Sequence, residues 1–378
     1  MPIPARTADP TLDVLVIGAG QAGLALGHHL TTRGADFLLL DAGPEIGSSW
    51  RSRWDSLRLF SPAQYDSLPG LPFPAPADTH PGKDEVADYL AAYAAHFALP
   101  VRLNTPVVRM HRDPDGLFAA TTPTGTVRAR QVVVATGPFQ TPHTPALADR
   151  LDPGVPQLHS SAYRNPTQLP GSGRVLVVGA ANSGLQIAAE LGATQPVTVA
   201  VGTRPTELPQ RIAGRDLFFW LTRSGFFTVP AHTRIARRLR ARGDLVIGTR
   251  SRRLRRRGID FRPRLTDLAG RTATFADGST VDVDAVVWAT GYRPDHSWLH
   301  VPGVIVEGQV RHTAGVTDVP GLYFLGLPWQ TCRGSALLGF VGADAEALAA
   351  RLAADALRGS QRNDPGLDPW AAATITTA

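Results

Sequence analysis

The stretch VLVIGAGQAGLALGHHL, residues 14–30, decides the fold of this chain. Residues 14–17 are apolar, which is typical of a strand buried on both faces of a sheet. Gly18, Gly20 and Gly23 follow with the spacing G-x-G-x-x-G, and a helical pattern continues to the end of the stretch. In a dinucleotide-binding turn these glycines make the turn, admit the pyrophosphate and let the helix pack on the strand. The helix start then offers its unpaired N–H groups to the phosphates.

A second apolar strand follows this predicted helix and ends in an acidic residue. Residues 37–40 form the strand, and Asp41 stands 18 residues after Gly23. An acid at that position hydrogen-bonds the ribose hydroxyls of a bound dinucleotide. The alternative, a glycine-rich turn without a ligand, does not account for the strand, the helix and the acid together. The sequence therefore predicts a dinucleotide site near the start of the chain.

The same logic returns in VLVVGAANSGLQIAAEL, residues 175–191. A strand, a turn bounded by glycines, a helix and a further strand are predicted at 175–178, Gly179 to Gly184, 185–191 and 197–201. Ala181 departs from the fingerprint, and its methyl group moves a pyrophosphate slightly off the turn without abolishing binding. Asn182 and Ser183 are expected to cap the helix and to add donors near a phosphate.

The residue after the second strand of this unit indicates which nicotinamide dinucleotide it binds. Arg204 stands 20 residues after Gly184, where an acid would bind a free 2′-hydroxyl. An arginine there favours a 2′-phosphate through bidentate, charge-assisted hydrogen bonds. Arg211 is a candidate second clamp. The alternative is that Arg204 is only a surface charge.

Composition limits the classes to which the protein can belong. With 378 residues, 43% hydrophobic and 19% charged, the chain is an ordinary globular one of two or three domains. No apolar run approaches the roughly 20 residues that span a bilayer, and we expect a cytoplasmic protein without a signal peptide. The single cysteine, Cys332, excludes an internal disulfide and a CxxC redox pair. No Cys, His and acidic cluster has metal-ligand spacing.

Two surface features have alternative interpretations. The arginine-rich run at residues 234–258 is either a patch for a polyanion or membrane, or a solvated helix face beside a nucleotide phosphate. We favour the second and expect no nucleic-acid partner, because no aromatic residues are interleaved for base stacking. The patch LFFWL, residues 217–221, is expected to pack internally. Its alternatives are a cover over the substrate entrance and a membrane contact.

The segment after the first acid resembles the flavin-containing monooxygenase superfamily. In DAGPEIGSSWRSRWDSLRLFSP, residues 41–62, Gly47 and Trp50 form a Gly-x-x-Trp element. The portion RWDSLRLFSP is similar to a bacterial branch related to the plant auxin-forming flavin monooxygenases. The NADPH motif of the superfamily is matched by Gly179, Ala181, Ser183 and Gly184. The resemblance implies FAD at the first turn and NADPH at the second.

Two Ala-Thr-Gly tripeptides support this two-cofactor assignment. Residues 135–137 and 289–291 each end an apolar strand, in VVVATG and VVWATG. One such tripeptide is expected by chance, whereas two that flank the second turn are specific. The resemblance implies that these strands return the chain between two dinucleotide domains.

The resemblance implies an α/β fold with two Rossmann-like dinucleotide-binding domains, the NADPH domain being inserted in a discontinuous FAD domain. The predicted boundaries are 10–168 and 282–358 for the FAD domain, 169–281 for the NADPH domain with a helical insertion near 205–245, 164–173 for a linker and 359–378 for a poorly ordered tail.

The end of the chain is expected to reach the flavin. After a predicted strand at 322–325, the last helix should begin within residues 334–338 and point its N-terminus at the flavin, where its partial positive charge stabilises the reduced anion. Arg333 either touches flavin or substrate or lies on the surface.

Three positions depart from the family pattern. In LDPGVPQLHSSAYR, residues 151–164, the usual Phe-x-Gly-x-x-x-His identifier is incomplete, and we assign His159 as a linker anchor rather than a catalyst. Phe60 replaces a polar residue and Ala63 replaces a basic one. Candidate substitutes that would stabilise the oxygenating flavin are Ser61, Gln64 and bound NADP+.

The resemblance implies that NADPH reduces FAD and that O2 then forms a flavin C4a-hydroperoxide, which oxygenates a small organic substrate. The alternatives are a reductase that feeds a ferredoxin, a quinone or a metal ion, and a non-catalytic nucleotide sensor. No side chain stands out as an acid–base catalyst, and the protein is expected to be a monomer or homodimer.

The expected cofactor-binding residues belong to the two turns, the two tripeptides and the segments that the resemblance places beside them. They are Gly18, Gly20, Gln21, Ala22, Gly23, Asp41, Ala42, Gly47, Ser49, Trp50, Arg51, Leu59, Gln64, Val107, Ala135, Thr136, Gly137, Gly179, Asn182, Ser183, Gly184, Arg204, Arg211, Thr290, Gly291, Gly326 and Leu337.

Overall fold

The computed structural model describes residues 11–241, 243 and 245–363. The first third of the chain alternates strands and helices before it ends in three antiparallel strands. Its elements are β1 (Leu12–Ile17), α1 (Gln21–Thr32), β2 (Phe37–Leu40), α2 (Ser48–Arg51), α3 (Lys83–His96), β3 (Val101–Arg102), β4 (Arg109–Arg112), β5 (Phe118–Thr122) and β6 (Gly125–Val134).

The middle of the chain forms a second α/β unit and an insertion within it. Its elements are β7 (Thr141–Pro142), β8 (Gln157–His159), β9 (Val175–Val178), α4 (Asn182–Leu191), β10 (Val197–Ala200), β11 (Thr206–Leu208), β12 (Arg211–Ile212), β13 (Arg215–Asp216), α5 (Leu217–Arg223), α6 (Arg234–Ala241), β14 (Leu245–Ile247), α7 (Ser251–Arg256), β15 (Asp260–Arg262), β16 (Leu265–Ala269), β17 (Thr272–Phe275), β18 (Thr280–Asp282) and β19 (Ala285–Trp288).

The end of the described chain returns to the first unit. Its elements are β20 (Tyr292–Arg293), β21 (Ile305–Val306), β22 (Gln309–Val310), β23 (Leu322–Phe324) and α8 (Val341–Asn363). The helix α8 runs five residues into the tail predicted at 359–378, and the rest of that tail lies outside the described residues. No helix in the described ranges is long and apolar enough to cross a membrane.

The first sheet has seven strands, with the path β3-β2-β1-β6-β5-β4 and with β23 added to β6. The carboxyl half of β6 pairs in parallel with β1 and β23, and its amino half pairs antiparallel with β5. Side chains of β1 alternate between two apolar layers: Val14 and Val16 pack towards α1 and α8, and Leu15 and Ile17 pack towards the opposite layer. The strand is therefore buried on both faces, as its apolar composition predicts.

The second sheet is entirely parallel, in the order β15-β10-β9-β19-β8. A three-stranded antiparallel sheet, β16-β17-β18, packs on one of its faces through Leu265, Leu268 and Phe275. The two units thus share a plan, a parallel sheet with an antiparallel appendage. The structure confirms the predicted α/β fold with two dinucleotide-binding domains.

The pairing of strands moves the predicted domain boundaries. The strands β8 and β19 belong to the second sheet, although the boundaries 10–168 and 282–358 assign them to the first unit. Strand partners are set by contacts between residues far apart in sequence, which a local pattern does not contain. The second unit accordingly extends from about residue 146 to 288, because residues 148–155 also pack on its sheet.

The chain crosses between the two units at a ribbon, not at the predicted linker. The strands β7 and β20 follow the two Ala-Thr-Gly tripeptides and pair antiparallel, with Tyr292 opposite Pro142 and Arg293 opposite Thr141. The predicted linker at 164–173 instead joins β8 to β9 inside the second unit. Its Pro, Gly and Ser content is equally suited to a loop within a domain.

The insertion predicted as helical near 205–245 is a mixture of helix and strand. It contains α5 and α6, but also the parallel pair β11–β14 and the hairpin β12–β13. The hairpin turns at Ala213 and Gly214, which both have positive φ, 48° and 75°. The arginine-rich run that follows forms α6 and α7, whose buried residues are Ala236 and Leu254 while most of the arginines are exposed.

Candidate active site

The first glycine turn has the geometry that its sequence predicts. Gly18 has φ +107°, and a Cβ atom there would lie 2.6 Å from the carbonyl oxygen of Ala135. A Cβ at Gly23 would lie 1.9 Å from the oxygen of Gly18, so the helix α1 packs on the turn only because both positions are glycine. A Cβ at Gly20, in contrast, would meet no atom within 4 Å. Space therefore opens at the N-terminus of α1, where a pyrophosphate approaches the backbone.

Asp41 is held at the edge of this turn. One carboxylate oxygen accepts a hydrogen bond of 2.7 Å from the backbone N–H of Ala19, and the other accepts one of 2.8 Å from Gly43. The backbone N–H of Thr105 donates to the carbonyl oxygen of Asp41 at 2.8 Å, which brings the segment containing Val107 alongside. The acid is thus positioned beside the turn, where a ribose would lie.

The second turn repeats this geometry. Gly179 has φ +117°, and its Cβ would lie 2.3 Å from the oxygen of Ala289. A Cβ at Gly184 would lie 2.1 Å from the oxygen of Gly179. Ala181 is the exposed residue just before α4, with φ −81°, so its methyl group strains nothing in the turn. Each Ala-Thr-Gly tripeptide therefore lies against one glycine turn, as the two-unit assignment requires.

The segment between β23 and α8 lies beside the first turn. A Cβ at Gly326 would lie 2.9 Å from the Cβ of Ala22, and the side-chain amide of Gln21 donates to the oxygen of Ala336 at 2.9 Å. The last helix starts at Val341, three residues after the predicted range of 334–338. Residues 334–340 form turns instead. The N–H of Leu337 donates to the oxygen of Gly334, and the oxygen of Leu337 accepts from the N–H of Val341.

The Gly-x-x-Trp segment packs on α3. Gly47 has φ +84°, and a Cβ there would lie 2.7 Å from the Cα of Ala87, so only glycine fits. Ser49 and Ala42 are exposed, and the indole of Trp50 is half-buried against the first core. The guanidinium of Arg51 pairs with carboxylates on Glu45, Asp84 and Asp88, and its contact with a cofactor stays a prediction.

Two further predicted cofactor contacts, Leu59 and Gln64, belong to the segment after Trp54. The side-chain amide of Gln64 makes a reciprocal pair of hydrogen bonds with Asp78, of 2.9 and 2.8 Å, and it is exposed. Leu59 is buried in the core, and its carbonyl oxygen contacts the ring of His80. The candidate role of Gln64 as a substitute for the basic residue missing at Ala63 stays a prediction.

The candidate NADPH residues are only partly brought together. Asn182 does not cap α4; its side chain holds β14, donating to the oxygen of Leu245 at 2.8 Å. Arg211 donates to the oxygen of Gly214 within its own hairpin at 2.6 Å. Ser183 is half-buried in the first turn of α4, and Arg204 is exposed in the loop after β10.

His159 and the two crossing segments form one cluster at the ribbon. The His159 Nε2–H donates to the oxygen of Gly291 at 3.0 Å, while Nδ1 accepts from the backbone N–H of Ser161. Burial lowers the pKa of His159, which favours this neutral form. The ring of Tyr292 packs edge-on against His159, and its hydroxyl accepts from Arg53. These contacts place His159 as an anchor of the crossing point.

Aromatic side chains of the insertion pack against Phe60 of the first unit and against Phe340, the residue before α8. Phe218 of α5 stacks on Phe60 and Phe227, with ring centroids 5.9 and 4.9 Å apart, and Phe227 contacts Phe340 just before α8. The side chain of Gln210 reaches the carbonyl oxygen of Phe60 at 3.0 Å. The inner half of the LFFWL patch is therefore packed, as expected.

The candidate substitute Ser61 forms a buried pair with Asp66, a residue that was not singled out from the sequence. The Ser61 hydroxyl donates to Asp66 Oδ1 at 2.5 Å, and both residues are buried. Burial raises the pKa of Asp66 to about 7, although the hydrogen bond from Ser61 opposes the shift. A Cβ at Gly339 would lie 3.2 Å from the Asp66 Cα, so the pair lies against the segment before α8.

Residues 15–214 match the pyridine nucleotide-disulphide oxidoreductase family. The chain belongs to this family. It is 45% identical over 339 residues to an uncharacterized CzcO-like oxidoreductase of Geobacillus kaustophilus, covering 89% of this chain and 97% of that one. It is 30% identical to the indole-3-pyruvate monooxygenase YUCCA8 of Oryza sativa subsp. indica, with 90% of each chain covered.

A solved structure shows the same fold. The flavin-containing monooxygenase from Stenotrophomonas maltophilia superposes with a TM-score of 0.76 at 31% identity, covering 92% of this chain and 99% of that one. These similarities confirm the predicted membership of the flavin-containing monooxygenase superfamily. The protein is a flavin-dependent oxidoreductase, and its membership supports the predicted cofactors, FAD and NADPH.

The residues of this flavin-dependent oxidoreductase fit a dinucleotide at each turn. The open space beside Gly20, the absence of an acid in the first turn of α1, and the carboxylate of Asp41 together suit a pyrophosphate with an attached ribose. The first turn of α4 also lacks an acid, so its N–H groups suit a second phosphate. In the described part of the chain, no three His, Cys, Asp or Glu side chains are grouped to hold a metal.

Proposed function

We propose that this protein is an NADPH- and FAD-dependent monooxygenase that oxygenates a small organic substrate. The proposal rests chiefly on the two turns, which share their glycine contacts and each adjoin an Ala-Thr-Gly tripeptide. Relatives named as indole-3-pyruvate and flavin-containing monooxygenases support the reaction class. The lone Cys332 argues against reduction of an internal disulfide.

The first turn would hold FAD. The N-terminus of α1 would bind the pyrophosphate past Gly20, and Asp41 would accept hydrogen bonds from the ribose. When bound, FAD supplies the two-electron chemistry that connects a nicotinamide hydride with O2. The tripeptide 135–137 and the segment around Gly326 and Leu337 border the same space.

The covering aromatic side chains would keep water from the reaction. Phe60 and Phe218 are stacked, and Ala63 beside them is buried, so this wall is apolar. Apolar walls lower the local dielectric and strengthen the electrostatic interactions of the remaining polar groups. One of these polar groups is Asp66. Because burial raises its pKa to about 7, it keeps a proton up to about that pH, and it accepts a hydrogen bond from the hydroxyl of Ser61.

The reaction is tested by isotope incorporation. The purified holoenzyme is supplied with NADPH, ¹⁸O2 and one of three probes: methyl phenyl sulfide, N,N-dimethylaniline or indole-3-pyruvate. A monooxygenase incorporates one ¹⁸O atom per product and consumes about one NADPH for each. Fast NADPH oxidation with menadione, without oxygenated product from any probe, would instead indicate a reductase.

The preference for NADPH is assigned to Arg204. Because hydrogen bonds to a charged group contribute about 1.5–3 kcal/mol, Arg204→Gln should raise the KM for NADPH roughly 10- to 100-fold. The KM for NADH should change little, since NADH has no 2′-phosphate. The control is Arg109→Gln, an exposed arginine of β4 in the first unit. Equal changes in the KM for NADPH and the KM for NADH would contradict the assignment of Arg204 to the 2′-phosphate.

A further inference from the structure

A polar cleft opens where the insertion of the second unit meets the first unit. Its volume is about 410 Å³. One wall comes from the residues just before α6 and from the last turn of α6. The other wall comes from the loops that follow β22 and β23. The lining residues are Ala231, His232, Arg240, His312, Ala314, Pro328, Trp329 and Gln330.

Backbone hydrogen bonds hold these two walls together. Residues 227–231 of the insertion run beside residues 331–334, with Ala231 N–H donating to the oxygen of Thr331 at 2.7 Å. The N–H of Arg333 donates to Val229 at 3.2 Å, and that of Gly334 to Phe227 at 2.8 Å. The cleft is therefore a preformed feature of the junction between the units.

Arg240 is the principal charge in the cleft. Its guanidinium lies 5.0 Å from the centre of the Trp329 ring, and Nη2 donates to the carbonyl oxygens of Ala231 and Trp329 at 3.1 and 3.4 Å. These partners orient the guanidinium but carry no net charge, so they do not neutralise it. The guanidinium of Arg333 lies 5.4 Å from the same ring.

The imidazole of His312 supplies a fixed donor. Its Nδ1 accepts a hydrogen bond of 3.1 Å from the backbone N–H of Gly315, so the proton of the neutral ring is on Nε2. Gly315 has φ +88°, and a Cβ there would lie 2.4 Å from the oxygen of Phe324, which fixes this turn. Burial lowers the pKa of His312, and the positive charge of Arg240 lowers it further.

We propose that this cleft binds the carboxylate or phosphate group of a small anionic molecule, with Arg240 and His312 as its donors. None of the described residues that line the cleft is acidic, and exposed arginines at 234, 237 and 238 on α6 add to the positive potential. An anion here contacts both units at once and therefore stabilises their junction. The proposal does not depend on the monooxygenase reaction.

Calorimetric titration of the FAD-loaded enzyme tests this site, with inorganic phosphate and benzoate as separate probes at constant ionic strength. We expect saturable binding of at least one probe, which also tells a phosphate site from a carboxylate site. Arg240→Gln should weaken that binding at least tenfold and His312→Phe severalfold. Arg238→Gln removes the same charge from the same helix outside the cleft, and should change the affinity less than twofold.

Three results would overturn the proposal. The first is no saturable binding of either probe, and the second is an equal loss of affinity in Arg238→Gln and Arg240→Gln. The third is displacement of the probe by saturating NADP+, which would place the anion in the nicotinamide site. The flavin content and melting temperature of each variant are measured in parallel. If Arg240→Gln alters the flavin content or the melting temperature, the affinities of His312→Phe and Arg238→Gln for the probe are compared instead. Equal affinities in these two variants would then overturn the proposal.

Discussion

Gly20 has a different role from the glycines on either side of it. Gly18 and Gly23 are required by the protein itself, because a Cβ at either would collide with backbone atoms. Gly20 adopts φ −77° and ψ −173°, which any residue tolerates, and its side-chain position is open. The fold therefore does not require a glycine at this position, and the open space there is what a ligand close to the backbone would need.

This difference predicts that Gly20→Val folds but does not retain flavin. The two methyl groups enter the space of the pyrophosphate, so the FAD content after purification should fall at least tenfold. The far-ultraviolet circular dichroism and the yield of folded protein should match the wild type. The control is Gly171→Val, an exposed glycine that is equally open. Full flavin content in Gly20→Val would contradict the assignment of the first turn.

Asp66 makes the stability of the protein depend on pH. Its pKa rises from 3.8 in the unfolded chain to about 7 in the folded one, because the side chain is buried. Between these values the native state holds a proton that the unfolded state has lost. Stability therefore decreases as pH rises through this window, by up to about 1.4 kcal/mol per pH unit, and the loss is complete above pH 7.

Asp66→Asn should remove this pH dependence, since an amide does not ionise. Its oxygen still accepts the hydrogen bond from the Ser61 hydroxyl. The variant should gain stability over the wild type between pH 5 and 8, measured as the difference in melting temperature at each pH. Asp318→Asn, at an aspartate that is 72% exposed, serves as the control. A constant difference across this range would show that Asp66 is ionised throughout.

At the scale of elements, α5 joins the two units. Its inner face places Phe218, 1% exposed, between Phe60 of the first unit and Phe227 of the insertion. Its outer face leaves Trp220 40% exposed, with the indole N–H donating to the oxygen of Ile212. A seven-residue helix has little stability of its own, so its position depends on this packing.

Removal of the inner ring should therefore cost far more than removal of the outer one. Phe218→Ala should lower the free energy of unfolding by about 3–5 kcal/mol, the usual cost of a large cavity. Trp220→Ala should cost about 1 kcal/mol or less, because its side chain is mostly on the surface. Guanidinium denaturation followed by circular dichroism measures both. Similar losses in the two variants would mean that α5 does not pack as described.

At the scale of the whole molecule, the first site is assembled from both ends of the described chain. The turn at residues 18–23, the strand β6 and the segment before α8 meet there, and α1 packs on α8. A ligand bound at this point contacts segments that are more than 300 residues apart, as Gln21 and Ala336 are. Flavin binding should consequently stabilise the fold and not only the turn.

Removal of FAD should lower the melting temperature, and its return should restore it. A ligand at 100 times its Kd stabilises the native state by about 2.7 kcal/mol. Scanning fluorimetry of the deflavinated protein, with and without FAD, measures the effect. Riboflavin lacks the pyrophosphate and the adenosine, so it should restore little of the loss. Equal recovery with riboflavin would show that the glycine turn contributes nothing to binding.

Several elements were predictable because their patterns are local. The strands β2 and β9 match the predicted ranges, and glycines with positive φ, Gly18 and Gly179, lie at the two predicted turns. The helix α3 was not among the predicted elements, although KDEVADYLAAYAAH, residues 83–96, is composed mostly of strong helix formers. The start of α8 was predicted too early. Residues 334–340 consist of residue types that occur both in turns and in helices, so their composition does not show where the helix begins.

The sequence by itself determined two dinucleotide turns, their order and the flavoprotein family, because glycine spacing and buried strands are properties of short segments. Only the tertiary structure decided the domain boundaries, since the partners of β8 and β19 lie far away in sequence. It likewise decided that Arg51 and Asn182 are occupied by protein partners, and that Asp66 is buried with a raised pKa. Burial and pairing depend on what the folded chain brings close, which no local pattern contains.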